Sequence, residues 1–201
     1  MHTDSVHKLT TLALFTTLAL AIYAVESAIP PLVPIPGIKP GLANIITLVV
    51  LTEYSGKDAL YVLLARILLS TLLFGQAMSL LYSLAGGVLC FLIMCLTNRL
   101  LQGHFLFLTG ILGAVFHNLG QLSIAFVLTS TPGVLSYLPF LILGGILTGL
   151  FTGLSAGFMK RYLRPLTSRK PSAPKGGDGN SVRSPREAST QNNDFEDPHG
   201  E

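Results

Sequence analysis

Charge is scarce in this sequence. Only 11% of its 201 residues are Asp, Glu, Lys or Arg, against roughly 25% in a soluble domain. Nine of those charges precede Lys160, and the rest crowd into the last 42 positions. A chain this poor in charge cannot wet its surface all round. The motifs of several chemistries are missing as well. There is no G-x-x-x-x-G-K-[ST] to cradle nucleotide phosphates, no H-E-x-x-H, no nucleophile elbow and no Cys/His cluster. No pair of aspartate-rich segments offers the ligands for magnesium that prenyl diphosphate chemistry requires. These absences argue against catalysis by this chain alone and call for no cofactor or metal. The two cysteines, Cys90 and Cys95, share one apolar run at a spacing that suits neither zinc nor a redox pair, and read as small buried hydrophobes.

What is present is apolar: 50% hydrophobic residues and a mean hydropathy of +0.60. That places the chain in the membrane class. The net charge of +3 is then a matter of topology and anionic lipid, not of nucleic acid. Six apolar segments, near 9–29, 41–54, 57–74, 77–99, 105–129 and 134–162, are expected to form a six-transmembrane-helix, all-α bundle. The second is short and needs the turn before it to complete a crossing. The organisation expected is an N-terminal segment over 1–8, a membrane domain over 9–164 and a disordered tail over 165–201, rich in Ser, Pro, Gly and Asn. Lys8, Lys57, Arg99 and the group Lys160, Arg161 and Arg164 fall at alternate segment ends, which predicts that both termini are cytoplasmic. A cleaved signal peptide is the competing reading of the first segment.

Polar residues within apolar segments are costly in lipid, so their depth carries information. Glu26 lies near the outer end of segment 1, and Asn44 is a turn inside the same surface on segment 2. Arg66 is central on segment 3. His117 is roughly 18 Å along segment 5, with Asn118 beside it and Gln121 one turn further out on the same face. Together with Lys39 these residues predict a substrate-binding cavity in the outer half of the bundle, sealed below by Leu, Ile, Val, Phe, Ala and Gly. Two alternatives stay open: Arg66 either holds a ligand or pairs with Glu26, and His117 either faces ligand or is hydrogen-bonded within the bundle, with Asn118 at hand. The stretch Glu26–Asn44, with five prolines and two glycines, is expected to be a rigid outer lid above them. Gly145, Gly149, Gly153 and Gly157 form a smooth face on segment 6, and Ala13, Thr17 and Ala21 a milder one on segment 1. Each serves either internal packing or docking of a partner.

The runs PGIKPGLANIITL (Pro36–Leu48), LLARILLSTLLFG (Leu63–Gly75), LYSLAGG (Leu81–Gly87), GAVFHNLGQL (Gly113–Leu122) and YLPFLILGGILTGL (Tyr137–Leu150) resemble the bacterial family called Gx transporter or heptaprenyl diphosphate synthase component I. That family is similar to the substrate-binding S components of energy-coupling-factor (ECF) vitamin transporters. The resemblance implies a protein of the bacterial cytoplasmic (inner) membrane that captures a small molecule outside and works with a transmembrane coupling subunit and ATPases. The S components set an A-x-x-x-A face of helix 1 against the coupling subunit, and Ala13, Thr17 and Ala21 are the comparable run. Vitamin-like, flavin-like, quinone-precursor or isoprenoid-related molecules are the substrates to consider. The synthase name implies the alternative, a non-catalytic membrane accessory of heptaprenyl diphosphate or menaquinone-precursor synthesis.

Overall fold

The computed structural model describes residues 2–29, 38–74 and 77–167. Residues 30–37 of the proline-rich stretch, with four of its five prolines, and the whole tail beyond 167 lie outside the described residues, so the expectations of a rigid lid and a disordered tail concern segments not fully described. Among the described residues there are six α-helices: α1 (His2–Ala28), α2 (Asn44–Glu53), α3 (Gly56–Phe74), α4 (Ala77–Leu100), α5 (Leu106–Thr129) and α6 (Leu138–Thr167). A 3-10 turn, Pro132–Tyr137, leads into α6.

The all-α architecture is as the apolar runs predict, with three corrections. Helix α1 begins well before residue 9. Helix α6 runs on to Thr167, past the expected start of the tail at 165. The third concerns crossing. Among the described residues four spans are long and apolar enough to traverse a bilayer: Val6–Ala28, Met78–Leu100, Leu106–Thr129 and Pro132–Leu163. Helix α3 has 19 residues but carries Lys57, Asp58 and Arg66, and α2 has ten, about 15 Å of helix. Half a bilayer is all that α2 can reach.

Helix α2 makes up for its length by its position. Every residue from Asn44 to Leu51 is buried, because α1, α3, α4, α5 and α6 all pack against it. The bundle is apolar outside as well. Along α6, Phe140, Leu143, Leu147, Phe151, Leu154 and Phe158 are exposed in one stripe, as are Leu68, Leu72 and Leu73 on α3. Faces like these belong against lipid, and they make this a membrane protein.

Glycine brings α5 and α6 together. A Cβ on Gly149 would lie 2.5 Å from the Ile111 Cα, and one on Gly153 would lie 2.4 Å from the Phe107 Cα. Gly145 approaches Val115 in the same way, whereas Gly157 faces open space. Three of the four glycines on this face therefore serve internal packing. Ala13, Thr17 and Ala21 differ: all three are exposed, while Phe15, Ala19 and Tyr23 turn inward.

Two ion pairs mark one end of the bundle. Lys8 Nζ is 2.9 Å from Asp58 Oδ2, and Lys160 Nζ is 3.8 Å from Glu53 Oε1. They gather the start of α1, the α2–α3 turn and the end of α6 at the end where the basic residues were expected to cluster.

Candidate functional site

Two clusters of buried apolar side chains fill the bundle. The larger includes Ile46, Leu48, Val49, Leu63, Ile67, Cys90, Phe91 and Met94. The smaller includes Ile38, Tyr82, Leu122, Ala125 and Leu141. Along the chain entering α2, Lys39, Gly41 and Asn44 fall between Ile38 of the smaller group and Ile46 of the larger. Helices α1 to α5 contribute side chains to this polar layer, and α6 offers the Leu141 carbonyl beside it.

The layer starts at the entrance to α2. The first amides of a helix lack intrahelical partners, and Ala43, preceding α2, offers no side-chain cap. Glu26 supplies one from α1: its carboxylate accepts hydrogen bonds from the Gly41 amide and, at 3.4 Å, from the Ala43 amide. The negative group sits where the helix dipole favours it. Gly41 holds φ +81°, and a Cβ there would lie 2.7 Å from the His117 ring. Only glycine serves at this position.

From Asn44 the network runs across the bundle. Arg66 Nη2 donates to Asn44 Oδ1 at 3.2 Å, and Asn44 Nδ2 lies 3.3 Å from His117 Nδ1. His117 Nε2 is 3.0 Å from Gln121 Nε2, and Gln121 Oε1 accepts the Lys39 amide at 3.3 Å. The imidazole is held between two glycines, since a Cβ on Gly86 of α4 would lie 2.9 Å from its Cε1. The Lys39 ammonium donates to Tyr23 Oη (2.8 Å) and Ser27 Oγ (2.7 Å) and lies 4.1 Å from the centroid of the Tyr23 ring. Tyr23 Oη also meets Ser79 Oγ of α4 at 2.9 Å.

Six of the seven residues expected to bind substrate are thus joined: Glu26, Lys39, Asn44, Arg66, His117 and Gln121. Asn118 stands apart. It donates from Nδ2 to the Leu141 carbonyl at 2.7 Å, leaving Oδ1 buried without a partner. Two suggested pairings give way to others. Glu26 spends its carboxylate on backbone amides and makes no ion pair with Arg66 among the described residues. His117 bonds Asn44 and Gln121, not Asn118. Tyr23, Ser27, Gly41, Ser79 and Gly86 complete the network from outside the seven residues expected to bind substrate. The Gly-Leu-Ala-Asn and Ala-Gly-Gly runs held the glycines in plain view, but nothing in them says which histidine they enclose.

The layer is closed. Glu26, Asn44, Arg66, His117 and Gln121 are all at most 3% exposed, because Ile38–Ala43 fills the space above them. A narrow cleft beside it is lined by Ile38, Lys39, Pro40, Asn118, Leu141 and Gly144.

A family model named heptaprenyl diphosphate synthase component I matches residues 15–159. The chain belongs to that family. No curated relative and no solved structure matches it. The matched region takes in all but the first turns of α1 and the last of α6, and every residue of the polar layer.

Proposed function

We propose that this protein is the substrate-capture subunit of an ECF-type importer in the bacterial cytoplasmic membrane, with both termini cytoplasmic. The observation that carries the reading is the polar layer itself. In a bundle with an apolar exterior and a largely apolar core, α1, α2, α3 and α5 bring a carboxylate, a guanidinium, an imidazole and two carboxamides into one connected layer. Such groups are expensive in lipid and are kept where a ligand or ion must be handled. The basic end marked by Lys8, Lys57, Arg99 and Lys160 takes the cytoplasmic side by the positive-inside rule. That puts Ile38–Ala43 and the cleft toward the exterior. A vitamin-like, flavin-like or isoprenoid-related molecule would enter there.

Energy would come from partners, a transmembrane coupling subunit and ATPases, since this chain carries no nucleotide loop. The exposed Ala13, Thr17 and Ala21 face of α1 offers a close-packing surface for the coupling subunit. Co-purification of the tagged chain from its native membrane with an ATPase pair, and ATP-dependent uptake by the reconstituted complex, test the reading. Failure to recover any ATPase would overturn it.

The family name favours a second reading, a non-catalytic membrane accessory of heptaprenyl diphosphate synthesis. A stable complex with a soluble prenyl synthase that raises the synthase rate would replace the first reading with this one.

A further inference from the structure

We propose that the polar layer is built to receive an acceptor-only group, a carboxylate or phosphate carried by the ligand, with Arg66 as its principal contact. The inference rests on the capture reading and specifies the chemistry of its ligand.

The argument is a count of donors and acceptors. Asn44 and Gln121 turn their amide nitrogens to opposite sides of the His117 ring. An amide nitrogen can only donate. A neutral imidazole accepts at one nitrogen, and a protonated one accepts at neither, so the ring cannot satisfy both. Turning Asn44 over would set its NH2 against the Arg66 guanidinium and forfeit the bond to Oδ1. Turning Gln121 over would set its NH2 against the Lys39 amide. Whichever orientation is taken, one donor is left without an acceptor.

Arg66 adds a second. Its Nε is buried with no hydrogen-bond partner, and among the described residues the guanidinium makes one hydrogen bond, to Asn44. The carboxylate nearby does not help, because Glu26 is taken by the Gly41 and Ala43 amides. Asn118 Oδ1 is a spare acceptor, but it sits about 100° around α5 from His117, beside Gly145 of α6. The charges agree with the count. Arg66, buried, and Lys39, half-buried at the rim, face Glu26 alone, which leaves one positive charge uncompensated. A carboxylate or phosphate brings several lone pairs, no proton to place and the missing negative charge. It also matches the planar fork of a guanidinium. The same oxygens could arrive on a free solute or on a lipid headgroup.

The test is thermal unfolding of the full chain in detergent and in nanodiscs. Inorganic phosphate, pyrophosphate and nicotinate serve as anionic probes, and nicotinamide is the neutral counterpart of the last. At least one anion is expected to raise the wild-type Tm by roughly 5 °C at saturation. Arg66→Met should abolish that rise while leaving the ligand-free Tm as high as or higher than wild type, since it removes a buried, poorly partnered charge. If R66M does not fold, Arg66→Lys takes its place, and the apparent affinity for the anion should fall at least tenfold. A higher Tm in phosphatidylglycerol than in phosphatidylcholine nanodiscs, with no response to the soluble anions, identifies the source as a lipid phosphate. An R66M chain that responds to anions like wild type, or a wild type that responds to no anion and to neither lipid, overturns the proposal. A response to nicotinamide alone also overturns it, yet leaves a ligand site standing. The capture reading fails on its own separate ground, the absence of a coupling partner.

Discussion

At the scale of single residues, the polar layer depends on positions that carry little chemistry of their own. Gly41 combines a left-handed backbone with a 2.7 Å approach to His117. Gly41→Ala is therefore expected to cost at least about 2 kcal/mol, read as a fall in Tm. Glu26→Gln keeps the shape and removes the charge. One of its two acceptors becomes an NH2 facing an amide, and the loss should be roughly 1.5–3 kcal/mol, the worth of a hydrogen bond to a charged group. Gly86→Ala tests two opposed effects. Alanine favours a helix by about 1 kcal/mol, but its Cβ would meet the His117 carbonyl oxygen at 2.8 Å. Backbone cannot step aside as a flexible side chain does, so the substitution should destabilise. Sequence reading found the charged and amide members of the layer because polar atoms stand out in an apolar chain. It offered Glu26 as one of two alternatives for Arg66 because opposite charge is visible in a sequence, whereas the backbone amides at the mouth of α2 that Glu26 binds are not.

At the scale of helices, the four glycines of α6 separate into two kinds. Gly149→Ala would drive a methyl into the α5 backbone and is expected to disrupt the α5–α6 contact, lowering Tm sharply. Gly157→Ala meets nothing within 4 Å and should be neutral, or stabilising by up to about 1 kcal/mol. Parallel Tm measurements on the two variants check this contrast. The periodic spacing of these glycines was legible, but which of them touch another helix was not, since spacing names a face without naming its neighbour. Helix positions were legible from apolar runs bounded by proline, glycine and charge. Their ends were less so: α1 and α6 both extend into polar sequence, because a helix once nucleated propagates through residues of adequate propensity.

The whole molecule is legible in its class and in the direction of its polarity. Scarce charge, long apolar stretches and basic residues at alternate ends sufficed for an all-α membrane bundle with one basic end. In a Cys90→Ala, Cys95→Ala background, His104→Cys and Thr131→Cys lie at opposite ends of α5. A membrane-impermeant thiol reagent is expected to label Thr131→Cys in intact cells, and His104→Cys only after the membrane is opened. What the sequence left hidden was the role of α2, which looks like an undersized span and is instead the central post of the bundle.

That post has a consequence for how the protein is made. Insertion into a bilayer sorts segments by whether they offer about 20 apolar residues, and ten-residue α2 does not qualify. It has to be drawn in with its neighbours. Its burial is complete only when α6, the last of the described helices in chain order and one of its main supports, closes over it. A chain stopped short of Leu138 would carry every charged and amide residue of the polar layer and still leave part of α2 facing lipid or water.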